Sequence, residues 1–417
     1  MYIKEKISIK NKDIKAFFIN YIENFNLSRP TQIEYLNING ILYPKYINEF
    51  WTAKQRQSNS LHEISYRACF KPELVNFFLN LLTKESDIVY DPFAGRGTTL
   101  IEAALNNRNI ISNDINPLSK ILCYSRINPP KIVDVIERIT SIPIKKIKKE
   151  IDLSMFYHPD TEKEILSIRK YLIEKIKKNK VDNIDIWISM VMTNRLTGHS
   201  KGFFSVYTLP PNQAISAKRQ VEINKKLNQI PEYRNVKNIV IKKTKDLLKD
   251  LTEKDYFNLN NVSKNAVFLL KDSRNTKEIK DNTVTLVVTS PPFLDVVQYA
   301  NDNWLRCWFN NIDANFIEKK ITIPKKIEIW NDIMLNTLKE LYRVLKNGGY
   351  VIFEVGEVKN GKIKLDEQII PLAIKSGFEC LGVMINDQVF TKTANIWGIN
   401  NNNKGTNTNR LVLLYKK

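Results

Sequence analysis

Cysteine and histidine are scarce in this chain, and the few present are scattered. Cys69, Cys123, Cys307 and Cys380 form no CxxC pair, and His62, His158 and His199 lie just as far apart. That spacing offers no zinc site, so no metal is expected and the thiols read as reduced and mostly buried. No apolar run approaches the ~20 residues that span a bilayer. The opening segment MYIKEKISIKNK lacks the apolar core of a signal peptide. No internal repeat is visible, and the Asn-rich stretch 400–409 reads as a loop. A cytoplasmic protein with no membrane partner is the expectation.

What is abundant is positive charge. The 417 residues carry 64 Lys+Arg against 44 Asp+Glu, a formal charge of +20. Such a balance suits a polyanionic partner, because Lys and Arg contacts to phosphate dominate nucleic-acid affinity. A general richness in Lys, Ile and Asn accounts for it equally well. The length allows one large α/β domain with an insertion, or two domains.

Along the chain, residues 71–83 predict a helix with Pro72 in its first turn. IVY at 88–90 predicts a buried strand, DPFAGRGTT at 91–99 a glycine turn, LIEAALNN at 100–107 a helix, and IISND at 110–114 a second strand. Strand, glycine turn, helix and strand open a doubly wound parallel sheet. Further strands are predicted at 266–270, 283–289 and 350–355, with helices at 331–346 and 369–377. Segments 378–386 and 410–416 would close the sheet as an antiparallel pair. The expected fold is therefore α/β: a Rossmann-like, mostly parallel sheet with its last strand antiparallel, interrupted by a large helical insertion. Residues 1–60, with weak helical signals, read as an N-terminal arm. Residues 61–119 and 263–417 read as the catalytic domain, and 120–262 as the insertion. Within it, the Gly-, Pro- and aromatic-rich stretch 194–214 predicts an ordered loop.

Two short motifs carry chemistry. In the first, Gly95 and Gly97 let the backbone turn tightly after a buried strand and present N–H groups at a helix start. Asp91 ends that strand, placed to face a cationic or amino group. Asp114 ends the next strand, where a carboxylate can accept hydrogen bonds from ribose hydroxyls. DPFAGRGTT resembles the S-adenosylmethionine turn of the amino-methyltransferases of DNA. The resemblance implies that Asp91, Phe93, Gly95 and Gly97 wrap the methionine part of that cofactor, with Pro92, Thr98 and Thr99 also in its binding site. It also implies that Asp114 holds the ribose, that Phe70 contacts the cofactor from the preceding segment, and that Asp272, with Ser273, meets the adenine.

The second motif is TSPPF at 289–293, at the end of an apolar strand. Two prolines cannot continue a central strand, and lacking N–H groups they leave carbonyls free to accept. A rigid, acceptor-rich turn followed by an aromatic ring suits holding an amino group while the ring stacks on a planar base. Ser290, Pro291, Pro292 and Phe293 match the family pattern (Asp/Asn/Ser)-Pro-Pro-(Tyr/Phe). The Ser form goes mainly with cytosine N4 and the Asp or Asn form mainly with adenine N6. The resemblance thus implies methyl transfer to cytosine N4, with adenine N6 as the alternative. No cysteine here follows a proline, which disfavours methylation at cytosine C5.

Segments 50–74, 194–214, 302–309 and 405–410 resemble one bacterial group of these enzymes, with the cofactor motif leading. The implied partner is double-stranded DNA, in a restriction-modification or epigenetic setting with or without a cognate endonuclease. The insertion is the expected target-recognition region. Arg195, His199, Lys201, Asn212, Gln213 and Arg219 are candidate base readers. Trp304 and Arg306, close after SPPF, are candidates for the flipped-base pocket. An RNA base methyltransferase and a catalytically silent DNA-binding subunit remain as further readings.

Overall fold

In the computed structural model, Val284–Thr289 (β6) is buried on both sides and lies in the interior of a nine-stranded sheet. The structure describes residues 14–51, 58–66, 69–208, 215–292, 299–321, 324, 326–358, 363–387 and 408–417. Ile88–Asp91 (β3), Asn109–Asn113 (β4), Val267–Leu269 (β5) and Leu345–Val355 (β7) all run parallel to β6, in the order β5-β4-β3-β6-β7. Beyond β7, Thr408–Tyr415 (β11) is antiparallel and pairs with Glu379–Asp387 (β10). The Rossmann-like fold with an antiparallel closing strand is thus the one the sequence pattern predicts.

The chain winds outward from β3 through β4 to β5, then restarts at β6 on the other side of β3. That reversal opens a crevice at the carboxyl ends of β3 and β6, the usual ligand position in open α/β sheets. Alternation of side chains fills both faces. Leu286 and Val288 of β6 join Phe18, Phe78, Leu100 and Ile101 on one face. Val287 joins Trp330, Leu338 and Ile369 on the other. Helices Ile14–Glu23 (α1), Pro72–Leu82 (α2) and Thr98–Leu105 (α3) supply the first cover; Ile327–Val344 (α13) and Leu365–Lys375 (α14) supply the second.

Two features differ from the sequence expectation. After α1, the N-terminal stretch is not helical: Gln32–Ile38 (β1) and Ile41–Asn48 (β2) form a hairpin whose second strand pairs in parallel with β10. Its β-branched and aromatic residues pack usefully only against a sheet edge made by residues over 330 positions away, which local periodicity cannot register. And α13 ends at Val344, before the Asn-Gly-Gly turn, because Leu345 already pairs with Val284.

Between β4 and β5 all named elements are helices, from Pro117–Ile127 (α4) to Glu253–Ser263 (α10). Asn183–Arg195 (α7) starts with a capping box of Asp182 and Asp185, and its Trp187, Ile188 and Val191 join the same core as β6. The helical stretch is therefore packed onto the sheet's first face.

Candidate active site

The two motifs lie side by side because β3 and β6 are neighbours, with Val89 opposite Leu286 and Tyr90 opposite Val287. Side chains then join the strand ends. The Thr289 hydroxyl donates to Asp91 Oδ1 at 2.6 Å. The Thr99 hydroxyl, in the first turn of α3, donates to the Val288 carbonyl at 2.9 Å. Each motif thus holds the other in place.

The glycine turn is fixed from below. Gly97 caps α3 in the left-handed region (φ 79°) and offers no side-chain acceptor to the first amides of the helix. A Cβ on it would lie 2.4 Å from Cys123 Sγ, so only glycine fits. The Gly95 amide donates to Asp114 Oδ2 at 2.8 Å, and the Asn116 amide to Asp114 Oδ1 at 2.9 Å. Asp114 therefore ties the end of β4 to the turn after β3. Each of its oxygens keeps a lone pair for a further donor.

Burial pushes the Asp91 carboxyl up to about 7, against the hydrogen bonds from Thr289 and the Phe93 amide. Burial likewise pushes Asp114, part of whose surface stays open, up to about 6 against its two amide donors. Two carboxyls held against desolvation, beside an uncapped helix start, make a site for a ligand carrying an ammonium and hydroxyls. S-adenosylmethionine has both, so the donor set fits it.

Other expected cofactor residues divide. Phe70 is half-buried against the core, immediately before the N-cap of α2. Asn113 clasps the Lys271 backbone from both sides at 3.0 Å, which brings Asp272 beside the end of β4. Asp272 is not a bare acid, however. The Arg274 guanidinium pairs with it and holds its carboxyl below the usual range. The Ser273 hydroxyl is buried and engages Thr337 of α13, so it braces the strand end rather than presenting itself to a ligand.

At the second motif, Ser290 is half-buried, Pro291 buried and Pro292 exposed. Phe293 lies outside the described residues. Among the described residues, no hydrogen bond engages the Ser290 hydroxyl or the Pro291 carbonyl.

Among the expected base readers, Arg195 is the one the structure turns inward. Arg195 is buried: its guanidinium lies 4.1 Å over the Phe203 ring and bonds the Asn194 carbonyl and side chain. Burial pushes it down to about 10. It braces the loop and cannot read a base edge. Arg306 is equally buried and reaches the Ser65 carbonyl at 3.4 Å. The Trp304 indole donates to the Ile215 carbonyl at 3.0 Å and packs near Phe156. His199 and Lys201 are exposed, as is Arg219, which pairs with Glu222 at 2.6 Å. Asn212 and Gln213 lie outside the described residues.

Sequence reasoning missed several residues. Tyr66 is packed over Gly95, 3.2 Å from where a Cβ would stand, and bonds Asn116; burial raises its phenol. The Arg96 guanidinium holds the His62 and Ile64 carbonyls, fixing that segment over the turn. Trp330 of α13 donates its indole N–H to the Pro292 carbonyl at 3.0 Å. Thr289 and Arg96 had a local signal, standing inside the TSPPF and DPFAGRGTT motifs. Among the described residues no group of three His, Cys, Asp or Glu is disposed to hold a metal, and no helix is long and apolar enough to cross a membrane.

The sequence matches the family model described as DNA methylase over residues 5–120 and 284–417. The model of the D12 class of N6 adenine-specific DNA methyltransferases matches residues 70–247. The chain is 24% identical over 297 residues to the Type II methyltransferase M.MvaI of Kocuria varians, covering 65% of this chain and 60% of that protein. It is 24% identical over 314 residues to the Type II methyltransferase M.BsoBI of Geobacillus stearothermophilus, covering 69% and 60%. It thus spans about three fifths of the length of these relatives. A SAM-dependent methyltransferase structure from Methanosarcina mazei is 10% identical, with 84% of this chain and 99% of that one covered at a TM-score of 0.33.

Proposed function

The chain belongs to the DNA methylase family of N6/N4 type, and from that premise we propose that it methylates the exocyclic N4 of cytosine in double-stranded DNA, using S-adenosylmethionine. The observation that carries the reading is the mutual bracing of the two motifs: Thr289 on Asp91, and Thr99 on the carbonyl before it. A cofactor turn and an amine-holding turn are thereby kept at one crevice.

Asp91 and the uncapped start of α3 would hold the methionine part of the cofactor, and Asp114 the ribose. Bound there, S-adenosylmethionine supplies an electrophilic methyl carbon: transfer forms an N–C bond, breaks the C–S bond with its electron pair returning to sulfur, and releases one N–H proton. The Ser290 hydroxyl and the Pro291 carbonyl would accept the two hydrogens of the amine. Accepting both favours a tetrahedral nitrogen with an available lone pair. Positioning and electrostatics then carry the rate, with no need of a strong base. The target base must leave the helix, at a cost of about a few kcal/mol. Phe293 remains the proposed stacking ring on sequence grounds.

Helices between 120 and 262 would form the target-recognition region, with Lys and Arg on phosphates and His199 and Lys201 among its surface contacts. If roughly 6–10 phosphates are engaged, affinity falls about 10³–10⁵ between 50 and 200 mM salt. A restriction-modification setting follows the Type II relatives. Adenine N6 is the second reading, favoured by the D12 match over 70–247. The test is nucleoside mass spectrometry of unmethylated DNA treated with the protein and labelled cofactor. N4-methyldeoxycytidine supports the proposal, N6-methyldeoxyadenosine replaces it with the second reading, and no label in DNA removes both.

A further inference from the structure

The SPP turn has an unusual mechanical problem. Pro291 and Pro292 carry no N–H, so the turn cannot be tied down by its own donors at two successive positions. Their rings fix φ, which leaves ψ as the soft torsion at each. The Pro292 carbonyl reports the last of these, and it accepts the Trp330 indole N–H at 3.0 Å. Trp330 is among the largest buried side chains, 1% exposed, in the first turn of α13. Its neighbours Met334 and Leu338 pack under the same face of β6. The donor is therefore anchored in the core while its acceptor is at the crevice.

We infer that Trp330 is a positioning residue for methyl transfer: its indole N–H pins the Pro292 peptide and so sets where the Ser290 hydroxyl and Pro291 carbonyl meet the target amine. This rests on the amino-methylation reading above. The indole is almost wholly buried and acts through the turn. A misplacement of about 1 Å at such a turn can cost about a hundredfold in rate. Nothing in the local sequence signals the pair, since Trp330 stands 38 residues beyond Pro292 on another element.

Covalent geometry supplies a clean discriminator. Overlaid on the five-membered ring of indole, imidazole places Nε2 where indole has Nε1. Trp330→His therefore keeps a donor at that point but loses bulk, whereas Trp330→Phe keeps more bulk and loses the donor. A latch predicts that the smaller side chain works better; simple core packing predicts the reverse. Met334→Ala, one turn further along α13, is the control for core loosening.

Single-turnover methyl transfer would be measured on amplified, unmethylated genomic DNA, with S-adenosylmethionine affinity by calorimetry and melting curves alongside. The expected order is parent, then Trp330→His, then Trp330→Phe, the last slowed about tenfold or more, with cofactor affinity within about twofold in all. Met334→Ala should lose stability but keep most of its rate. Phe at parental rate, or faster than His, overturns the latch while leaving amino-methylation standing. A parent that binds the cofactor but transfers nothing to DNA overturns both.

Discussion

The turn at 91–99 and the loop at 196–208 are both glycine-bearing connections, and they are held differently. The turn is fixed by its own backbone: Gly95 on Asp114, Phe93 on Asp91, Ala94 on the Asn113 carbonyl. The loop has backbone bonds of its own, Phe204 on the Arg195 carbonyl and Thr208 on the Gly198 carbonyl, and cations add to them. The Arg234 guanidinium, from a separate segment, bonds the Ser200, Phe203 and Ser205 carbonyls. Arg195 lies over Phe203, and Gly198 leaves room for that ring, since a Cβ there would fall 2.3 Å from it. Where backbone does the holding, side chains and amides stay available to a ligand. Where cations do the holding, their guanidinium groups are engaged, and the loop's exposed polar tip carries His199 and Lys201.

Gly97→Ala should be the most damaging way to break the turn. It places a Cβ against Cys123 at a φ of 79°, costing about 3 kcal/mol from strain and overlap together. Denaturant melts and cofactor titration would both register it. Cys123→Ala in the same chain removes the sulfur and should return part of the loss, while the strain persists. No recovery would mean that Cys123 does not set the limit.

The loop predicts a different separation. Arg195→Met should cost about 2 kcal/mol of stability, the scale of a desolvated cation–π contact. Any change in DNA binding should follow the melt. His199→Ala and Lys201→Ala should leave stability within about 0.5 kcal/mol. Lys201→Ala should lower the salt slope of DNA binding by about one if it meets a phosphate. Parental stability in Arg195→Met would erase the contrast.

Asp91 sharpens the turn's side of it through pH. Its folded carboxyl lies near 7, above the ordinary 3.8. The unfolded chain therefore loses this proton first. The group's contribution to stability is full below about 3.8 and is lost as pH rises through 7. Affinity for a cationic ligand runs the other way: it is full above 7 and weakens about tenfold per unit below it. Asp91→Asn should stabilise the free protein near neutral pH and flatten cofactor affinity against pH. An affinity with no pH dependence between 5 and 8 in the parent would remove Asp91 from the ammonium's site.

Strand and turn identities in the sheet were legible because they are local: Val-rich β6, the Pro72 helix start, the paired glycines after Asp91. Asp91, Gly97 and Asp114 could be named from type and position alone. Arg195 was misread because composition gives no direction: a cation in a polar loop looks solvated whether or not Phe203 lies beneath it. The β1–β2 hairpin, Tyr66 and Trp330 were invisible for the same reason. Each is defined by a partner distant in sequence.

The smallest expected effect tests whether any of the insertion's remaining exposed cations matter to the fold. Arg219 lies on the surface and pairs with Glu222 three residues on, at 2.6 Å. Exposed pairs of this kind contribute about 0.3–0.5 kcal/mol at most, and salt screens them. Arg219→Ala should thus leave the melt almost unmoved at 0.15 M salt. Its consequence, if it has one, must appear in DNA affinity and vanish at high salt. Stability lost in step with DNA binding would place Arg219 with Arg195, as a brace. DNA binding lost alone would place it with Lys201, at the surface the inward-facing cations hold in shape.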